Sequence, residues 1–176
     1  MTMWVFGYGS LVWNPGFAPD ERAIATLPGY HRSFCMRSIH HRGTPETPGL
    51  VLALVEDRAA HCTGLALSVA EGEEEAVLAY LRERELVTDA YLEKWLPVEL
   101  ADGRRVEAVT YVIDARHAQY CGRLDPEAQA RMIARATGGR GPNTEYLFNT
   151  TAHLRELGIE DAELDWLVAR VRQIVG

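Results

Sequence analysis

Glu85 is the residue whose setting most suggests chemistry. If a helix begins near Gly72, then Val77, Leu78 and Leu81 form one apolar stripe, and Glu85 continues it at i+8, i+7 and i+4. A carboxylate is thereby aimed where a core or a cleft should lie. Burial disfavours the charged form and would raise its pKa towards neutrality, as a general base working near pH 7 requires. The same spacing also fits a helix end at which Glu85 turns into solvent or pairs with Arg84. Glu74 lies on the same stripe but in the first turn, where attraction to the positive end of the helix dipole accounts for it.

The second candidate is Gly7-Tyr8-Gly9-Ser10-Leu11, directly after an apolar strand-like segment. Glycines on both sides of Tyr8 permit unusual backbone angles and close approach, so successive N–H groups can converge on an anionic oxygen. Such a loop could hold a substrate carboxylate or an oxyanion, and it could equally be a tight strand exit. It is not a nucleotide loop, because neither GxGxxG nor GxxxxGK[ST] is present.

Other clusters carry less. In His40-His41-Arg42, adjacent strand positions face opposite sides, and no HExxH or regular His-carboxylate set accompanies them, so solvated or loop-anchoring roles are expected and no metal site. Gly138 to Gly141 with Arg140 has the make-up of an anion loop before a helix, which helix connections share. Tyr91, Tyr111 and Tyr146 fit core aromatics with a polar tip. Cys35, Cys62 and Cys121 lie far apart without a CxxC pair, so neither a disulfide framework nor a cysteine zinc site is expected.

The elements that must position these residues read as strands first and helices later. Trp4-Val5-Phe6, His31 to Ile39, Leu50 to Val55 and Thr63 to Val69 fit strands, with the turn-rich Arg42 to Gly49 as a hairpin connection. Leu96 to Leu100 and Arg105 to Ile113 form a hairpin across Asp102-Gly103. Helices are expected from Gly72 to about Val87, from Asp125-Pro126 towards Thr137, from a cap at Asn143 or Thr144 to Gly158, and from Asp161 to Val175 with Leu164, Leu167, Val168 and Val171 on one face. Short strands and helices without regular alternation imply an α+β fold on a small barrel or curled sheet.

The chain has 176 residues and a net charge of −7, suited to one globular domain over 1–176 and unsuited to gripping a polyanion, so nucleic acid is not an expected partner. No apolar run approaches the ~20 residues that span a bilayer, and no membrane partner is expected. The first residues lack a basic segment followed by an apolar stretch and a small-residue cleavage site, which points to the cytoplasm.

Together, four segments resemble the ChaC family of γ-glutamylcyclotransferases over nearly the whole chain. They are Trp4 to Trp13, His41-Arg42-Gly43-Thr44-Pro45 with Pro48-Gly49, Arg84-Glu85 with Tyr91, and Gly141-Pro142-Asn143-Thr144-Glu145-Tyr146-Leu147. The resemblance implies a small closed β-barrel flanked by helices. It implies cleavage of glutathione to 5-oxoproline and cysteinylglycine with no metal or organic cofactor; no protein partner is evident in the sequence. Glu85 then stands at the catalytic carboxylate, and Gly7, Tyr8, Gly9, Ser10, Leu11 and Val12 at the loop that holds the γ-glutamyl part. Some members carry Lys-Gly-Gly-Tyr after the Arg-Glu pair, whereas here Leu86 to Ala90 precede Tyr91, closer to the bacterial branch.

The residue types fit that chemistry. An α-ammonium group is not nucleophilic, so a base must take its proton before the amine attacks the γ-carbonyl carbon; the protonated base can then deliver the proton to the leaving nitrogen. Both reacting groups belong to one substrate, so folding it supplies much of the advantage, and no covalent nucleophile is needed. Arg42 and Tyr146 are candidates for meeting the cysteinylglycine end. Two alternatives stay open: another γ-glutamyl amine or peptide as substrate, or a non-catalytic protein that binds such ligands.

Overall fold

A computed structural model describes residues 2–86 and 89–176. The chain divides into two compact units, Met1–Arg32 with Ala53–His117, and Ser33–Leu52 with Ala118–Gly176.

The first unit is built on a closed barrel of strand order β1-β3-β2-β4-β5. Its strands are β1 (Trp4–Gly7), β2 (Arg22–Ser38), β3 (Gly49–Ser68), β4 (Tyr91–Leu100) and β5 (Arg105–Ile113); Ser33–Ser38 of β2 and Gly49–Leu52 of β3 run on into the second unit. β1 lies antiparallel to β3, with Trp4 opposite Ser68 and Gly7 opposite Leu65, and parallel to β5, with Val5 opposite Val109. Closure of this kind leaves no unpaired sheet edge. Val5, Phe6, Leu27, Leu54, Leu67, Leu100 and Val109 on these strands are buried, Val5 and Phe6 on opposite faces of β1.

The β4-β5 hairpin turns where Asp102-Gly103 predicts it. Gly103 takes a φ of 95°, its N–H donates to the Leu100 carbonyl, and Asp102 Oδ1 accepts from the Arg104 N–H. A one-turn helix, α1 (Ser10–Trp13), follows β1, and α2 (Glu74–Glu85) joins β3 to β4. The part of the expected α2 that reaches Val87 lies outside the described residues.

The second unit holds α3 (Pro126–Arg135), a two-stranded sheet of β6 (Thr137–Gly138) and β7 (Gly141–Pro142), α4 (Asn143–Glu156) and α5 (Ala162–Val175). Leu164, Leu167, Val168 and Val171 are the buried face of α5, as their spacing predicts, and Asp161 caps it by accepting the Leu164 N–H at 3.1 Å. Pro126 occupies the start of α3, but Asp125 makes no side-chain cap there.

Three expectations need correction. The segments Leu50 to Val55 and Thr63 to Val69 are one continuous strand, because the polar stretch between them stays extended on the exposed side instead of turning. β2 starts nine residues before the expected His31, at Arg22. Neither Asn143 nor Thr144 caps α4: Pro142 stands at the cap, and the Asn143 amide is buried, with Oδ1 accepting the Leu50 N–H and Nδ2 donating to the Leu50 carbonyl, both at 2.8 Å.

Candidate active site

Glu85 is the last residue of α2. Val77 and Leu81 on the same stripe are buried, and the Glu85 side chain is 15% exposed with Arg84 Nε 3.4 Å from its Oε1. The stripe therefore continues as the periodicity predicts, and the pairing with Arg84 is present as well. At the other end of α2, Glu74 Oε2 accepts the Gly72 N–H at 2.8 Å, a role suited to the helix start.

Gly7 to Val12 form the exit of β1 and most of α1. Neither Gly7 nor Gly9 takes a positive φ; Gly9 sits at −140°. The requirement for glycine here is close approach instead. A Cβ on Gly64 of the neighbouring β3 would lie 2.3 Å from the Gly7 carbonyl oxygen, and one on Gly7 would crowd Leu11. Tyr8 is buried, and its hydroxyl donates to the Tyr111 carbonyl at 2.8 Å. Arg32, buried among the strands, donates to the Tyr8 and Thr63 carbonyls at 3.1 and 3.0 Å. The path of the loop is thus fixed by β2, β3 and β5.

Within the loop, the Val12 N–H donates to the Gly9 carbonyl and that of Asn14 to Ser10. Among the described residues, the N–H groups of Gly9, Ser10 and Leu11 have no acceptor in the protein, as expected at the start of a helical turn. Ser10 Oγ accepts from Arg84 Nη2 at 2.9 Å, and Arg84 Nη1 donates to the Asn14 carbonyl and, at 3.2 Å, to Tyr80 Oη. Arg84 therefore joins α1 to the end of α2, next to Glu85.

A second carboxylate lies close by. Glu93 on β4 stands opposite Tyr111 on β5 and accepts its hydroxyl at 2.9 Å, while Arg82 holds the same carboxylate with two 2.9 Å bonds. These bonds, Arg82's first, hold Glu93 below the usual carboxylate range. Burial pushes the Tyr111 phenol well above its ordinary value, helped by the bond to Glu93 and by the negative charges of Glu93 and Glu85. Tyr111 is thus a neutral donor beside Glu85. The sequence offered Tyr111 as a core aromatic and did not single out Glu93, Arg82 or Arg32.

Arg42 and Tyr146 belong to the second unit. Arg42 Nη1 donates to the Pro142 carbonyl at 3.0 Å and to Glu145 Oε1 at 3.1 Å, and its guanidinium stands 5.8 Å from the centre of the Tyr146 ring. Tyr146 Oη accepts the Leu52 N–H at 3.1 Å. A Cβ on Gly43 would lie 2.2 Å from the Gly49 nitrogen, which shows how tightly the turn after Arg42 is folded on β3. The structure thus brings Glu85 and Gly7 to Val12 together in one unit, and Arg42 and Tyr146 together in the other. Tyr91 opens β4, opposite Ile113.

Among the described residues, no group of three or more His, Cys, Asp or Glu is placed to hold a metal ion, and no helix is long and apolar enough to cross a membrane. Cys35, Cys62 and Cys121 are free thiols.

The closed five-stranded barrel with its helices is a γ-glutamylcyclotransferase fold, the α+β architecture that the sequence implies. The crystal structure of a selenomethionine-labelled γ-glutamylcyclotransferase specific to glutathione from yeast superposes with a TM-score of 0.89, covering 98% of this chain and 96% of that one at 22% identity. The sequence matches the family of ChaC-like proteins over residues 3–174, and the chain belongs to that family. The glutathione-specific γ-glutamylcyclotransferase of Escherichia coli (strain K12) is 39% identical over 173 residues, 98% of this chain and 74% of that protein. The γ-glutamylcyclotransferase 2-1 of Arabidopsis thaliana is 37% identical over 182 residues, 98% of this chain and 83% of that protein.

Proposed function

We propose that this chain is a glutathione-specific γ-glutamylcyclotransferase in which Glu85 is the base and the Gly7 to Val12 loop holds the γ-glutamyl group. The observation that carries the reading is that a shielded carboxylate and a loop with unspent N–H donors share one unit, in a chain 39% identical to an enzyme of that name. The family match runs through both units, which supports one functional domain over 1–176.

Glu85 takes a proton from the substrate α-ammonium, and the freed amine attacks the γ-carbonyl carbon, closing a ring of five atoms. The oxyanion that forms is met by N–H groups from Gly9 to Leu11, in the manner of an oxyanion hole. The C–N bond to cysteine then breaks as Glu85 returns its proton to that nitrogen, and the second proton shed by the ring nitrogen passes through Glu85 to the departing amine, releasing 5-oxoproline and cysteinylglycine with its amine as an ammonium group. Protons balance within the substrate and Glu85, so the reaction calls for no cofactor. Tyr8 spends its hydroxyl on Tyr111 and so serves the loop through its backbone. Arg42, which keeps one face against Tyr146, is the candidate for the cysteinylglycine end. A cytoplasmic setting, where glutathione is reduced, agrees with the three free thiols.

Incubating the pure protein with glutathione tests the proposal: 5-oxoproline and cysteinylglycine should accumulate in equal amounts. Equal turnover of other γ-glutamyl amines would favour the broader cyclotransferase, and binding without product would favour the ligand-binding protein.

A further inference from the structure

We infer that Arg84 is the positioning residue of this site: it locks Ser10 of α1 and Glu85 of α2 into one geometry and turns the Ser10 hydroxyl into a hydrogen-bond donor towards substrate. The inference rests on the cyclotransferase reading and adds a residue to it.

The side chain of Arg84 is only 6% exposed, although it belongs to the last turn of α2, where an arginine could extend into water. Its guanidinium is committed to four groups, two at α1 and its end and two on α2 itself. Nη2 donates to Ser10 Oγ at 2.9 Å, Nη1 to the Asn14 carbonyl and to Tyr80 Oη, and Nε faces Glu85 Oε1 at 3.4 Å. The planar fork of an arginine holds several acceptors in fixed directions, which a lysine ammonium on a flexible stem does not.

The direction of the Ser10 bond matters chemically. A serine hydroxyl carries one hydrogen and two lone pairs, and here a lone pair is occupied by a cation's N–H. The hydrogen has no acceptor in the protein among the described residues. It is left to be donated outward, and donation to the oxygen by a cation polarises it. Ser10 and the Glu85 carboxylate are thus held to one another through the single guanidinium of Arg84.

Among the described residues, the charged and titratable groups around Glu85 include Arg84 on α2 and Tyr111 on β5, with the paired Glu93 on β4 and Arg82 on α2 acting on the same Tyr111. Arg84 is a cation in contact with Glu85, so its removal takes a favourable charge away from that carboxylate.

The test compares Arg84→Lys, Arg84→Met and Ser10→Ala with the unaltered protein. Misplacement of about 1 Å in an active site costs roughly 100-fold, so Arg84→Met should lose about that in kcat with a smaller change in KM. Its kcat/KM should also fall away on the acid side at a higher pH, because the carboxylate has lost its cation. Arg84→Lys should keep the acid limb and still lose most of kcat. The Arg84→Met/Ser10→Ala double variant should be no slower than the slower single variant, since both remove one linkage. Amide hydrogen exchange across residues 9–14 gives a readout independent of turnover and should quicken in Arg84→Met. Unchanged exchange there overturns the inference whether or not glutathione is turned over, as does normal kcat in a folded Arg84→Met. An unaltered protein that makes no 5-oxoproline while Arg84→Met still loosens residues 9–14 overturns the cyclotransferase reading and leaves the linkage standing.

Discussion

The Tyr111 hydroxyl donates to Glu93 at 2.9 Å across the β4-β5 ladder, and this bond places a neutral phenol next to the charge of Glu85. It depends on Glu93 staying ionised. Because Glu93 is held below its usual value, its ionisation contributes stability that is fully present above the ordinary glutamate value of 4.5 and is lost as pH falls through the lower folded value. Glu93→Gln should therefore melt about 2 to 4 °C below the unaltered protein at pH 7, with the gap closing below pH ~4. A gap that stays constant down to pH ~3 in thermal melts would show that the carboxylate charge contributes nothing to the fold.

The thiols are expected to be bystanders. Burial pushes the Cys35 thiol up to about 12, and Cys121 is raised by the same cause. At pH 7 Cys35 is therefore held as the unreactive thiol. Iodoacetamide at neutral pH should leave Cys35 unmodified, and a folded variant with Cys35, Cys62 and Cys121 all replaced by Ser should keep catalysis. Chelators should leave turnover unchanged. Complete loss of product in the folded triple variant would favour a thiol nucleophile.

Asn143 shows both the reach and the limit of the sequence. Elements whose signals are local were legible: the span of α5 from Asp161 with its apolar stripe, the Asp-Gly hairpin, and the stripe that leads to Glu85. Pro28-Gly29 has the composition of a turn, yet β2 runs through the pair, with Gly29 at a φ of 84°. What was not legible depends on partners distant in the chain. Arg84 meets Ser10 across 74 positions, and Asn143 meets Leu50 across 93. An Asn before a helix has the composition of a cap, and only the folded chain reveals that its amide substitutes for a missing strand neighbour. Asn143→Ala leaves the buried Leu50 N–H and carbonyl without these partners and should cost about 2 to 5 kcal/mol in denaturant unfolding. Thr144→Ala should stay within about 0.5 kcal/mol. Equal stabilities of the two variants would return Asn143 to the status of an ordinary helix-start residue.

Substrate preference should depend on both ends of glutathione. If the Gly7 to Val12 loop reads only the γ-glutamyl group, a second surface must meet cysteinylglycine, and Arg42 with Tyr146 is the candidate. Glutamine and γ-glutamyl amino acids are expected to show kcat/KM at least about fivefold below that of glutathione, the least that leaving one buried polar group unpaired costs. Equal kcat/KM for a γ-glutamyl dipeptide would mean that the leaving group is not read.

The catalytic assignment itself stands or falls with Glu85. Glu85→Gln keeps the size of the side chain and can still face Arg84, but it cannot accept the substrate's ammonium proton. Glutathione binding should survive while product formation falls. General acid-base catalysis contributes about 10² to 10⁴ in rate, and a group that serves both proton transfers should fall at or above the upper figure. Glu83 supplies the control: it lies two residues earlier on α2, about 160° around the helix at ~100° per residue, and it is exposed. Glu83→Gln should alter stability by no more than about 0.5 kcal/mol and leave turnover normal. If both variants fold and turn glutathione over at the same rate, the carboxylate at the end of α2 is not the base, and its pairing with Arg84 is only structural.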